Sequence, residues 1–429
     1  MTDTQKTPPQ RPPCESRATG MTEQFLAPAP PAKGKIIGID CHPDIFTATA
    51  FEGTTPHNAK LLKTKLDVTL TQLLRWLESY ADASDIILME AGSNSFDLCR
   101  RLTALGLRSC VLESAWVGKQ ASSYVDNDKI AAARIVRVYL QGNCPAVWIP
   151  DDTTSQRREL LHIYDISKRD STQAINSLRG YLTQYSVRPG QRNLALEKNQ
   201  QWVLRQREWS PMQLVHLDDY FSHLRHSKER RLRIESQICI EVTRCPKMLS
   251  LMSLLGIGRI NAFALIATIG DITRFANPKK LVAYLGLNPG QKTSGLGKHI
   301  KLGMGKRGRK GMRNLLIQGA HAILRQGNRT PLSKWGMSLF LRKGHRNIAV
   351  AAVARKLTMQ VWHLLMGNKP ELLESTTSRL TKFTKLLTVI GKEQRAQINL
   401  PGSIKDCACH LDQLIETYKK SHIRQINLE

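Results

Sequence analysis

Between Lys35 and Pro150 short β-rich apolar runs alternate with stretches of helical period, and few architectures other than a helix-covered sheet accommodate that alternation. Lys35-Ile-Ile-Gly-Ile-Asp40 and Ile45-Phe-Thr-Ala-Thr-Ala-Phe51 are two such runs, separated by the turn residues Cys41-His-Pro-Asp44, and predict a hairpin. Leu70, Leu73, Leu74 and Leu77 recur at three- and four-residue spacing and predict a helix within residues 66–80. Ile86 to Glu90 reads as a strand, Ser95 to Leu105 as a helix and Ser109 to Leu112 as another strand. This α/β domain spans residues 35–150.

The flanking segments have other textures. Residues 1–34 hold seven prolines and few large apolar groups, which predicts an unordered arm. From 151 to 247 strand signals vanish and charged helical sequence takes over, as in Gln156-Arg-Arg-Glu-Leu-Leu and His226-Ser-Lys-Glu-Arg-Arg-Leu-Arg. Such sequence suits long helices that bridge domains, pair between subunits as a coiled coil, or form a plain helical hairpin. Residues 248–370 make a mostly helical third domain, opening with a helix, a Gly turn at Gly256-Ile-Gly258 and a second helix, with a further helix from Pro278 to Tyr284. Residues 371–429 form an extension of mixed charge without an assignable role. The expected class is α/β plus α.

Charge narrows the function. The chain carries a formal net charge of +28, far beyond what solubility requires, and a polyanion is the leading partner. The 99 residues from Ile272 to Pro370 hold 20 Lys or Arg and no Asp or Glu. A solvated surface mixes signs, so one-sided charge of this length reads as a nucleic-acid-binding face. The nine cysteines show no CxxC and no paired rhythm, which argues against a disulfide framework or a zinc finger. No apolar run is long enough to span a membrane, and Met1-Thr2-Asp3 does not begin a basic then apolar leader; a cytoplasmic protein is expected.

Chemistry is most plausible at strand ends. Asp40 and Glu90 each terminate an apolar strand, and Asp128 stands near the start of a helix running to Leu140. Each has an ordinary reading as a turn residue or helix cap. Carboxylates brought close by two strands and a helix repel one another until a proton or divalent cation relieves them, and clustered around Mg²⁺ they suit phosphodiester cleavage. A Gly-rich loop follows, with Ser294 between Thr293 and Gly295 and with Lys292, Lys298, Lys301, Lys306, Arg307, Arg309, Lys310 and Arg313 around it. Glycine permits close backbone approach to phosphate and the cations hold it, so composition alone makes Ser294 one more phosphate donor.

Gly38-Ile-Asp40, Met89-Glu90-Ala91, Asn127-Asp128-Lys129, Gly256-Ile-Gly258, Ile269-Gly-Asp271-Ile-Thr-Arg-Phe275, Ala283-Tyr-Leu-Gly-Leu287, Thr293-Ser294-Gly295 and Gly305-Lys-Arg-Gly308 recur in order. In these the chain resembles the DEDD transposases of bacterial insertion sequences, the 110/1111 group described as bridge-RNA-guided serine recombinases, over about residues 35–365. The resemblance implies a RuvC-like domain of RNase H type, a coiled-coil assembly region and a C-terminal transposase domain. It also implies that Asp40, Glu90 and Asp128 bind Mg²⁺, with Mn²⁺ as the alternative ion, and that Ser294 attacks a phosphate to form a phosphoserine link. The implied partners are DNA at the element ends and target, a noncoding guide RNA and further copies of the chain as a dimer or tetramer, in a bacterial cytoplasm at the nucleoid. The family's second aspartate on the Asp128 helix is replaced by Ala131, so either three acids suffice, or Asp126 serves from the preceding loop, or the copy is inactive. A structure-selective nuclease working by metal hydrolysis alone is the competing enzymatic reading, and an inactive nucleic-acid-binding copy the non-enzymatic one.

Overall fold

The computed structural model describes residues 26–92, 94–119, 127–293, 299–304, 308–327, 329–368, 373–400 and 402–426. The chain divides into two compact units, one up to Ile149 and the other from Pro150 on.

The first unit is a mixed five-stranded sheet with helices on both faces. Its elements are β1 (Lys35–Cys41), β2 (Phe46–Glu52), β3 (Lys60–Val68), α1 (Leu70–Tyr80), β4 (Ile86–Glu90), α2 (Ser95–Ala104), β5 (Ser109–Leu112), α3 (Ser114–Lys119) and α4 (Asp128–Leu140). The strand order is β3-β2-β1-β4-β5; β1 is antiparallel to β2 and parallel to β4, and β4 is parallel to β5. Strand side chains alternate between faces. Ile37, Ile39, Ile87, Met89 and Val111 pack on one face with Leu73 and Leu77 of α1 and Leu98 and Leu102 of α2. Ile36, Ile86, Leu88 and Leu112 pack on the other with Val117 of α3 and Ile135, Val136 and Tyr139 of α4.

The sequence pattern misses two features here. β3 occupies residues where the leucine spacing suggests a helix from Leu66, because the helix is started by its cap. Gln72 N donates to Thr69 Oγ1 at 3.4 Å and Thr69 N donates to Gln72 Oε1 at 2.9 Å, so α1 begins at Leu70. β3 is an edge strand whose lysines, at positions 60, 63 and 65, suit solvent and discourage further pairing. The expectation of an unordered arm through residue 34 gives way at Leu26. There Leu26 bridges Pro145, Ala27 N donates to Cys144 O at 2.8 Å and Tyr139 Oη donates to Pro28 O at 2.7 Å. Residues 1–25 lie outside the described residues.

The second unit is helical apart from one small hairpin. It comprises α5 (Asp152–Gln184), α6 (Glu197–Leu204), α7 (Pro211–Arg244), α8 (Pro246–Met252), α9 (Arg259–Ile269), α10 (Pro278–Tyr284), β6 (Pro289–Thr293), β7 (His299–Met304), α11 (Lys310–Leu324), α12 (Pro331–Lys343), α13 (Arg346–Leu365), α14 (Thr376–Ile390), α15 (Lys392–Gln397) and α16 (Ile404–Ile426). At 33 and 34 residues, α5 and α7 are each about 50 Å long at 1.5 Å per residue. They run antiparallel within the chain: Arg157 meets Glu241 at 3.6 Å, Asp170 meets Arg230 at 2.6 Å, and Ser171 Oγ donates to Ser227 O at 3.1 Å. One end of the pair closes over α6 around Leu178, Phe221 and Val203.

The other end joins a single core with the later helices. Ile238 of α7, Phe263 of α9, Leu316 of α11, Val353 of α13, Phe383 of α14 and Leu411 of α16 all belong to it. Helix α9 is buried on every side from Ala262 to Ile269, which is why its sequence shows no polar face. The C-terminal extension is therefore built into the core around α9. Its Lys382 Nζ donates to Met252 O, Leu254 O and Ile257 O at 2.8, 2.8 and 2.7 Å and pairs with Glu374 at 2.9 Å, satisfying carbonyls left open where α8 ends. No helix among the described residues is long and apolar enough to cross a membrane.

Candidate active site

Asp40 and Glu90 are placed by register. β1 and β4 run parallel and pair through Ile39 and Met89, so the next residue on each strand is a carboxylate at the same end of the sheet. Alternation puts Asp40 on the face of Ile36 and Gly38, the face that α4 covers.

Helix α4 lies unusually close to β1. A Cβ built on Gly38 would run into the Ala132 carbonyl oxygen and come 2.8 Å from Val136 Cγ2. Glycine is required here by space, since any side chain would hold the helix off the strand. Asn127 caps α4, its Oδ1 accepting from Ile130 N at 2.9 Å, and fixes Asp128 as the first helical residue. Asp128 thus sits one turn before Ala132, and Asp40 sits two residues beyond Gly38, which brings the two together.

The turn after β1 adds a third group. His42 Nε2 lies 3.5 Å from Asp40 Oδ2 and 3.3 Å from Asp128 Oδ1, and one donor atom from each of the three residues falls within 4.8 Å of the others. The turn is pinned at both its backbone groups: His42 N donates to Ile45 O at 3.1 Å, and Asn94 Nδ2 donates to His42 O at 2.6 Å. Asn94 precedes α2, so this bond also ties the end of β1 to the segment that follows Glu90. Glu90 stands at the adjoining strand end but outside the three-residue group. Burial, and then the neighbouring Asp40 charge, push the Cys41 thiol up to about 12.

Two carboxylates and an imidazole at this spacing fit a divalent cation. Donors sharing one ion through bonds of ~2.1 Å stand ~3.0 Å apart at right angles and ~3.4 Å apart at tetrahedral angles. The observed 3.3 and 3.5 Å separations are of that size. Ala131 follows Asp128 at i+3, on the same side of α4, and offers no donor; Asp126 lies outside the described residues. His42 was legible in the sequence only as a donor-bearing residue two positions after a strand-terminal aspartate, in what reads as turn chemistry.

Ser294, the residue expected to attack, follows β6 in the sequence. Ser294, Lys298, Lys306 and Arg307 are outside the described residues, and Lys292 and Lys301 belong to β6 and β7. The strands pair from Pro289 with Met304 to Thr293 with His299, so the sequence read as a loop is a hairpin. Arg309 and Lys310 open α11 and are exposed, and Arg313 Nη1 donates to Gly286 O at 3.3 Å. At the hairpin's base Gly308 adopts φ +89° and a Cβ there would meet Gly286 Cα at 2.7 Å, so the chain leaving the hairpin rests against the turn after α10.

Three guanidinium groups gather behind that turn. Arg158 donates to Ala267 O and Thr268 O at 2.9 and 3.1 Å, Arg274 Nε donates to Ile269 O at 2.9 Å, and Arg309 Nη2 donates to Tyr284 Oη at 3.4 Å. Two of them therefore cap the carbonyl end of α9. Burial alone would raise the Tyr284 pKa, but the nearby Arg309, Arg274 and Arg158 outweigh it and hold it below its ordinary value.

Residues 248–333 match the transposase family described as IS116/IS110/IS902. The transposase for insertion sequence element IS1111A of Coxiella burnetii is 25% identical over 339 residues, 77% of this chain and 89% of that protein. The transposase for insertion sequence element IS1328 of Yersinia enterocolitica is 26% identical over 333 residues, covering 76% and 95%. The y4qE protein of Sinorhizobium fredii is 26% identical over 232 residues, and there the chain spans 56% of the relative's length. Together with the family match, these relatives support an IS110-group insertion-sequence transposase.

Proposed function

We propose that this chain moves an insertion sequence by cutting and rejoining DNA, with the acidic cluster of the first unit supplying the metal ligands and Ser294 of the second the nucleophile. The observation that carries the reading is the approach of Asp40 and Asp128, from a strand end and a helix start, into a group with donors within 4.8 Å. Isolated surface carboxylates gain nothing from such proximity, since like charges repel. The mixed sheet with acids at two adjoining parallel strand ends also supports a RuvC-like assignment for this unit.

In this reading Asp40, Glu90 and Asp128 hold a divalent cation, Mg²⁺ or Mn²⁺. When bound, the cation supplies charge neutralisation at the phosphate and lowers the pKa of an oxygen that contacts it. Ser294 Oγ forms a bond to phosphorus as the bridging P–O bond to one deoxyribose breaks; the serine proton passes to solvent or a nearby base, and the released deoxyribose oxygen takes up a proton to leave as a hydroxyl. The phosphoserine retains the phosphodiester's energy, so a DNA hydroxyl can reverse the step and rejoin strands. Arg309, Lys310 and Arg313, with Lys292, Lys298, Lys301, Lys306 and Arg307, hold the backbone phosphates around Ser294. Recognition of the DNA through a guide RNA, and assembly of several copies, come to this reading from the resemblance to bridge-RNA-guided recombinases.

The test is strand exchange between element-end and target DNA, with covalent protein–DNA adducts scored on denaturing gels. Ser294→Ala and Asp40→Ala should each reduce recombination by at least about 10³-fold while leaving DNA binding within a few fold. Recombination at the wild-type rate in Ser294→Ala removes the serine from the mechanism. DNA nicking without any covalent adduct in the wild type would favour the hydrolytic nuclease instead.

A further inference from the structure

We propose that His42 is a ligand of the cation held at Asp40 and Asp128, and that its nitrogen makes the site favour Mn²⁺ over Mg²⁺. This rests on the acidic site proposed above and adds a donor to it. The motivating observation is a covered ring nitrogen that faces two carboxylates yet makes no hydrogen bond to a described residue. His42 Nε2 is covered from solvent although its ring is 44% exposed, and no described residue makes a hydrogen bond to it. A covered polar atom without a hydrogen bond is costly and rare, and it calls for a partner. This one is aimed between two carboxylate oxygens at 3.3 and 3.5 Å, the spacing of donors around a common ion.

The ring is not there by accident of a loose turn. Bonds from His42 N to Ile45 O and from Asn94 Nδ2 to His42 O fix the backbone on both sides of the side chain. The helix supplies no second donor at position 131, where a methyl group stands, so the imidazole provides from the β1–β2 turn what α4 lacks. Replacing a carboxylate oxygen with an imidazole nitrogen has a chemical consequence. Both ions favour oxygen donors, but Mn²⁺, the first of the first-row divalent series, gains more from an imidazole nitrogen than the strictly oxygen-bound, strongly hydrated Mg²⁺. The alternative occupant of the gap is a proton, with an imidazolium serving as counter-ion to the two carboxylates.

The experiment uses the full-length protein and Mn²⁺ as both ligand and probe. Electron paramagnetic resonance titration gives its affinity, spin-echo modulation reports nitrogen bonded to the ion, and Mg²⁺ competition gives the preference. The wild type should show ¹⁴N modulation. His42→Ala should lose it and bind Mn²⁺ at least about tenfold more weakly, while its Mg²⁺ affinity changes less. His42→Asp should restore binding with the preference moved toward Mg²⁺, which guards against a simple folding defect. Asp40→Asn separates the two levels of the argument. If it abolishes Mn²⁺ binding but the wild type lacks ¹⁴N modulation and His42→Ala binds normally, the histidine assignment falls and the acidic site stands. If Asp40→Asn binds Mn²⁺ as well as the wild type, the acidic site itself is wrong and the histidine assignment falls with it.

Discussion

Replacing Gly38 with alanine tests the arrangement that assembles the site. Gly38 has no positive φ, so alanine is compatible with its backbone, and the penalty arises from space alone. The new methyl would overlap the Ala132 carbonyl oxygen and lie 2.8 Å from Val136 Cγ2. Restoring ordinary contact requires α4 to retreat by roughly 1 Å, which loosens Ile135, Val136 and Tyr139 from Ile36 and Leu88. Overpacking of this kind costs about 1–3 kcal/mol, offset by about 0.5–1 kcal/mol from the lower chain entropy of alanine. A net loss of about 1–2 kcal/mol is expected. Native-state amide hydrogen exchange on β1 and β4 measures it locally, without requiring the two units to unfold together. The same retreat carries Asp128 away from Asp40, and a misplacement of about 1 Å can cost 10²-fold in rate. Strand exchange should therefore fall much further than stability. Adding Val136→Ala relieves the side-chain contact but leaves the backbone clash, so it should recover only part of the loss. Exchange free energies within about 0.5 kcal/mol of the wild type in Gly38→Ala, a difference too small for overpacking, would refute the account.

Two further outcomes are expected elsewhere. Lys382→Met leaves Glu374, 6% exposed, without its cation and strips three carbonyls of their donor, which should destabilise the second unit by about 3–5 kcal/mol; a change below 1 kcal/mol in urea titration would show that water replaces the ammonium. Burial raises the thiols of Cys110 and Cys239 to about 12, so iodoacetamide at pH 8 should label them only after unfolding. Because the folded value is the raised one, these thiols favour the fold below the unfolded pKa of about 8.5, and that contribution is lost as the pH rises toward 12. Labelling in the native protein at the denatured rate would contradict their burial.

Much of the first unit could be read along the chain because its signals are local. The alternation in Lys35–Cys41, the i, i+3, i+4 leucines of α1 and the capping of α4 by Asn127 each act over a few residues. β3 escaped because an edge strand rich in lysine shows no apolar alternation, and its partner lies elsewhere in the sequence. In the second unit the +28 charge and the acid-free segment were visible as composition. The pairing of α5 with α7 within the chain was not, since a charged helical pattern is the same whether its partner belongs to the same molecule or another.

The sequence by itself determined the residue types at the strand and helix ends: Asp40 and Glu90 closing apolar runs, and Asp128 after a capping asparagine. Only the tertiary structure decided that Asp40 and Asp128 face one another and that His42 lies between them. Local pattern sets which side of a strand or helix a residue occupies, but the distance between two such sides depends on packing. Here it depends on the absence of a single side chain at Gly38, which lets helix α4 settle onto strand β1.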